Sequence, residues 1–174
     1  MMEYELCIRE AETSDATALI AFLDCVGQET DLTSLDENGI MMTASEMALF
    51  IEKQAASENQ ITLLALLNDE IAGILNITAD QHLRVRHIGD VFLAVRKKFW
   101  NQGLATILLE EGIEWAKASG VLRRLQLSVQ KQNEAAIHLY SKMGFIIEGL
   151  QERGAYLAEG IFLDVCLMGK LIDE

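Results

Sequence analysis

Residues 91–118 constrain this chain more than any other stretch, because they dictate a strand, a turn and a helix in immediate succession. Val91, Phe92, Leu93, Ala94 and Val95 form a continuous apolar run. A short run of that kind fits a strand covered on both faces. Lys97 and Lys98 follow, and from Gly103 onward Leu104, Ile107, Leu108, Ile113, Trp115 and Ala116 return at roughly helical spacing until Gly120. Gly103 leaves the backbone bare where the helix starts. A helix N-terminus of this type presents free N–H groups and a positive dipole end, which together bind phosphate or pyrophosphate. The turn lacks the glycines and the Lys-Ser/Thr pair of a Walker loop, and it is not the three-glycine G-x-G-x-x-G fingerprint of dinucleotide folds. The segment therefore points to a phosphorylated cofactor held by backbone.

The next residues complete a crossover. In Val121–Val129, Leu125, Leu127 and Val129 alternate with polar neighbours, as in a strand. Strand, helix, strand is the parallel unit and should be right-handed. Asn133 then offers an N-cap and Gly144 a helix stop. Between them Ala136, Ile137 and Tyr140 share one helical face.

Trp100-Asn-Gln-Gly103-Leu-Ala105, followed by Asn133, Ala136, Tyr140, Gly144 and Phe145, resembles the two hallmark segments of the GNAT superfamily of acetyl-CoA-dependent N-acetyltransferases. Trp100 stands where that family often has Gln or Arg, which is similar to a subgroup that includes the ribosomal-protein N-terminal acetyltransferases. The resemblance implies an α/β GNAT-like fold over residues 1–174 as one N-acetyltransferase domain, with a mixed sheet of about six to seven strands and about four helices. It implies acetyl-CoA as acyl donor. The backbone of Leu93 and Val95 would pair with the pantetheine arm like an added strand, Ala94 between them would also line the cofactor, and Gln102, Gly103, Leu104, Ala105 and Thr106 would meet the pyrophosphate. Lys97 and Lys98 could reach the phosphates, Asn133 and Ala136 would sit against the cofactor, and Lys142 could approach the adenosine phosphate.

Acetyl transfer to an amine poses two proton problems: an ammonium with pKa near 10 must be deprotonated, and the leaving sulfur must be neutralised. By resemblance Tyr140 faces that sulfur and is the expected acid. Asp90, where the strand begins, is the expected base, provided that strand alternation points it at the site. Glu29 or Asp31 in the first loop could serve instead, directly or through water, and both are candidate substrate contacts. The expected reaction is direct attack by a primary amine of a small molecule or a protein N-terminus, in a ternary complex. A non-catalytic acyl-CoA sensor or interaction module on the same fold is the alternative, and an unrelated ATP- or NAD-binding α/β protein is a third.

Composition narrows the partners. The net charge is −13, whereas a nucleic-acid surface needs clustered Lys and Arg. An acidic body favours solubility and attracts cationic amines. Cys7, Cys25 and Cys166 are far apart and fit reduced core thiols of a cytoplasmic protein better than disulfides or a zinc site. The scattered histidines argue against a metal centre. No apolar run approaches membrane-spanning length, and the N-terminus lacks the pattern of a signal peptide. A homodimer through the late strands is compatible with this pattern.

The remaining segments read as a strand over 4–9, a helix over 14–27, a polar loop over 28–40 and a helix over 44–57. Strands over 61–67 and 71–78 flank Asn68-Asp-Glu70, and two late strands begin near Phe145 and Gly160.

Overall fold

A computed structural model describes residues 3–35 and 38–173. Its strands and helices follow in the order β1 (Leu6–Glu10), α1 (Ala16–Glu29), α2 (Ala44–Ala55), β2 (Ile61–Leu67), β3 (Glu70–Ala79), β4 (Ile88–Val95), α3 (Leu104–Ala118), β5 (Arg124–Gln130), α4 (Glu134–Lys142), β6 (Ile146–Ala158) and β7 (Ile161–Leu171). The strands form one seven-stranded sheet ordered β1-β2-β3-β4-β5-β7-β6. Among the described residues only β4 and β5 pair in parallel, as the crossover through α3 requires. The expected mixed sheet with four helices is what is found.

Period-two alternation divides the sheet into two faces. Leu63, Ala65, Leu75, Ile77, Leu125, Leu127 and Val129 pack with Leu108, Leu109 and Ile113 of α3 and with Tyr140 of α4. Leu64, Leu66, Ile74 and Ala94 pack on the other side with Leu19, Phe22, Leu23 and Val26 of α1 and with Met47 and Ile51 of α2. On this second face α1 lies against β3 and α2 against β2. The β2–β3 hairpin turns at Asn68 and Asp69, whose φ values of 49° and 65° suit a two-residue primed turn.

Three expectations change. Helix α1 does not stop at Gly27 but runs to Glu29, because the Glu29 carboxylate is tied to Arg96 and to the Lys97 amide. Of the loop expected over 28–40, residues 36 and 37 lie outside the described residues. The thiol of Cys166 is buried, but Cys7 is exposed because it lies on β1, an edge strand. The apolar run of β4 is also less covered than its composition suggests: Ala94 is buried, while Val91, Phe92, Leu93 and Val95 are only partly so.

The last difference has a topological cause. The pairing of β4 with β5 ends at Asp90 opposite Gln126, yet β4 continues to Val95 and β5 to Gln130. The two strands part and leave a slot between their C-terminal halves. Helix α3 packs against β3 and β4, the strands that form one wall of the slot. Leu108, with no exposed surface, sits at the centre of that contact. Leu108→Ala is expected to cost about 2–5 kcal/mol, measured by urea unfolding.

Candidate active site

The direction of each backbone group along β4 follows from one hydrogen bond. The Arg96 N–H donates to the Ala72 carbonyl at 2.8 Å, toward β3. Backbone groups alternate along a strand, so Ala94 and Phe92 also face β3, whereas Val95, Leu93 and Val91 face the slot. The register between β3 and β4 is unbroken from Gly73↔Val95 to Ala79↔Gly89. Ala94, expected among the cofactor contacts, directs its backbone to Ile74 of β3. Leu93 and Val95 offer the slot an unpaired edge. The Val95 carbonyl is partly engaged, because the Trp100 indole N–H donates to it at 2.8 Å, which leaves the Val95 N–H. Trp100 thereby folds the turn back onto the end of β4.

The turn leads into an uncapped helix start. Gly103 adopts φ 80°, and no side chain caps α3. Ile107 N donates to Gly103 O at 3.1 Å, so the N–H groups of Leu104, Ala105 and Thr106 precede the first helical bond. An added Cβ at Gly103 would meet nothing within 4 Å, so the space beside Gly103 is open. Gln102 and Gly103 are exposed. An unpaired strand edge that leads to free helix amides fits an extended amide-bearing arm ending in a pyrophosphate.

The side chains around the slot divide by face. Tyr140 packs in the cluster on the α3–α4 side that includes Leu127, Val129 and the partly buried Val91 and Leu93. It makes an edge contact with Phe145 at 5.8 Å between ring centroids. Burial opposes the charged phenolate and pushes its pKa from 10.0 to about 12. The phenol therefore keeps its proton at neutral pH, as a donor must. Asp90 is exposed and points the other way, sharing its side of β4 with Phe92 and Ala94. Gln126 Nε2 donates to Asp90 Oδ1 at 2.8 Å, and Gln126 Oε1 accepts from Arg124 Nε at 3.1 Å. Arg124 is itself paired with Glu148. Because a guanidinium only donates, this chain orients the Gln126 amide and leaves Asp90 as the acceptor. The expected acid and base thus lie on opposite faces of the sheet at the slot.

Other expected residues have partners of their own. Burial raises the Glu29 carboxyl, but bonds from the Lys97 amide and the Arg96 guanidinium outweigh this and hold it below its ordinary value. Lys98 is paired with Glu70 at 2.7 Å, and Lys97 lies 6.0 Å from the Trp100 ring. Asn133 Oδ1 accepts from Ala136 N at 3.2 Å and caps α4. Lys142 is exposed at the end of that helix, and the Asp31 side chain is exposed. Gln126, Gln130 and Arg96 were not legible as site residues, since only the register across the parallel pair places them at the slot. Among the described residues, no helix is long and apolar enough to cross a membrane.

This arrangement coincides with a family match. Residues 33–145 match the model described as the acetyltransferase (GNAT) family, and the chain belongs to that family. It is an N-acetyltransferase that uses acetyl-CoA as acyl donor. It is 66% identical to a GNAT-family acetyltransferase from Streptococcus pneumoniae, with a TM-score of 0.95 over 97% of this chain and 100% of that one. It is 28% identical to an L-amino acid N-acetyltransferase of Escherichia coli, over 96% of this chain and 98% of the relative. A phosphinothricin acetyltransferase from Sinorhizobium meliloti, solved with acetyl-CoA, shares the fold at 20% identity, with a TM-score of 0.81 over 99% of this chain and 90% of that one.

The burial of Tyr140 yields a direct expectation. In a spectroscopic alkaline titration, the difference between wild type and Tyr140→Phe should show one phenol ionising near pH 12. A difference centred near the ordinary value would contradict the burial described for it.

Proposed function

We propose that this protein acetylates the primary amine of an amino acid or a comparable small amine, by direct attack while donor and acceptor are both bound. Residues 1–174 would serve as one catalytic domain. The observation that carries the reading is the slot between β4 and β5, flanked by Asp90 on one face and Tyr140 on the other. The full-length similarity to the Escherichia coli L-amino acid N-acetyltransferase supports the acceptor class.

Bound acetyl-CoA supplies an acyl carbon open to attack and a thiolate as leaving group. The chain supplies the rest. Leu93 and Val95 hold the arm through their backbone, and Leu104, Ala105 and Thr106 direct amides at the pyrophosphate. Asp90, kept as an acceptor by Gln126, takes a proton from the acceptor ammonium, directly or through one water. Tyr140 donates its proton to the sulfur from the opposite face. The exposed Asp31 carboxylate adds negative charge on the acceptor side, in keeping with a cationic substrate.

The test is amine-dependent release of free CoA thiol across amino acids, polyamines and peptides with free N-termini. Amino acids should give the highest kcat/KM. Tyr140→Phe should lower kcat by roughly a hundred-fold or more while acetyl-CoA affinity stays within about two-fold, and Asp90→Asn should lower kcat/KM on a similar scale. Acetyl-CoA binding without thiol release from any of these amines would refute the reading and favour a sensor.

A further inference from the structure

Helix α1 ends at Glu29, and the chain continues through Thr30 and Asp31 toward α2. Both ends of this short piece are fastened to the strands that flank the slot. On the β4 side, Glu29 Oε1 accepts from Arg96 Nε at 2.7 Å, and Glu29 Oε2 accepts from the Lys97 backbone N–H at 2.8 Å. On the β5 side, Gln130 Nε2 donates to the Asp31 carbonyl at 2.7 Å. Gln132 Nε2 donates to Gln130 Oε1 at 2.8 Å. The Gln130 oxygen is thereby engaged, and its nitrogen is directed at Asp31. The bonds connect residues 67, 68 and 99 positions apart, so they are tertiary ties rather than local turn chemistry.

These residues lie on one face of the sheet. Arg96 follows the parity of Phe92 and Ala94, and Gln130 that of Gln126, so both lie on the α1 side. Residues 29–31 therefore cross the mouth of the slot at the C-terminal ends of β4 and β5. The geometry sets a scale. Two strands with one extended arm between them stand about 9.6 Å apart, twice the ordinary strand spacing. The step from residue 29 to residue 31 reaches about 7 Å, and a Glu and a Gln side chain add the remainder.

A device of this kind answers a physical problem. Beyond Asp90 and Gln126, two unpaired strand edges face each other, and such edges gain hydrogen bonds by zipping together. We propose that Glu29 and Gln130 are positioning residues for acetyl transfer. By fastening residues 29–31 to both sides of the slot, they hold β4 and β5 at the separation that admits the pantetheine arm. The strap also joins the seat of the donor to the loop that leads into α2. This inference rests on the reading of the slot as the seat of acetyl-CoA.

The experiment is calorimetric titration with acetyl-CoA of the wild type, Glu29→Gln, Gln130→Glu and the double variant, with ligand-free melting temperatures and steady-state kinetics alongside. Both substitutions keep side-chain size. Gln at 29 loses the ion pair with Arg96, and Glu at 130 has no N–H for the Asp31 carbonyl. Each single variant should bind acetyl-CoA about 3- to 30-fold more weakly, with the loss falling on KM for the donor more than on kcat. The double variant should be no more than about two-fold weaker than the poorer single, since release of either end frees the same strap. Wild-type affinity in both singles, or losses that multiply in the double variant, would overturn the strap and leave the acetyl-CoA site standing. A shift in melting temperature without a loss of affinity would also overturn it, by assigning the ties to stability alone. A wild-type protein that bound no acetyl-CoA would overturn the site and the strap together.

Discussion

The rest of the site depends on an interaction that stops. β4 and β5 pair in parallel only as far as Asp90 and Gln126, and every functional feature is arranged around the gap that follows. An unpaired strand edge is ordinarily a liability, because its N–H and C=O groups invite any strand to pair. Here the edge of Val91–Val95 faces inward between two strands, where aggregation partners cannot reach it but a narrow arm can. The crossover helix α3 follows β4 after the turn over 96–103, and no side chain caps its first amides. In the proposed reading, one departure from regular pairing supplies the cleft, and the uncapped start of α3 supplies the anion site.

Around that gap the charges are paired so as to hold positions. Arg124 bonds Gln126 and pairs with Glu148, Gln126 bonds Asp90, and Arg96 bonds Glu29. Charge-assisted bonds of this kind fix the orientation of the groups they join. They end on the Asp90 carboxylate and at the turn that leads into α3. The buried tyrosine is held differently. Its environment withholds solvation from the phenolate, and this preserves its proton. Asp90 and Tyr140, the proposed proton acceptor and donor, thus differ in environment as they differ in face, one exposed and hydrogen-bonded, the other enclosed among apolar side chains.

Much of this was legible in the chain. The strand, turn and helix over 91–118 and the capped helix from Asn133 stand out because glycine, asparagine and apolar periodicity have local causes. Gly103 could be assigned its role for the same reason, as a helix start without a side-chain cap is a local property. The partial exposure of Val91, Phe92, Leu93 and Val95 was not legible: a run of five apolar residues reads as buried on both faces, and nothing local records that the neighbouring strand departs. Glu29 likewise reads as a loop carboxylate, and only the fold shows it bonded to groups 67 and 68 residues away.

The sequence by itself therefore determined the order of the elements, the glycine turn before α3 and the tyrosine at the end of its helix, because propensity, capping and periodicity act over a few residues. The tertiary structure alone decided where β4 and β5 part and which face Asp90 occupies. It also decided which carboxylates remain free after Arg96, Lys98 and Arg124 have taken theirs. Those outcomes follow from register and from ion pairs between distant segments, and neither leaves a local trace in the chain.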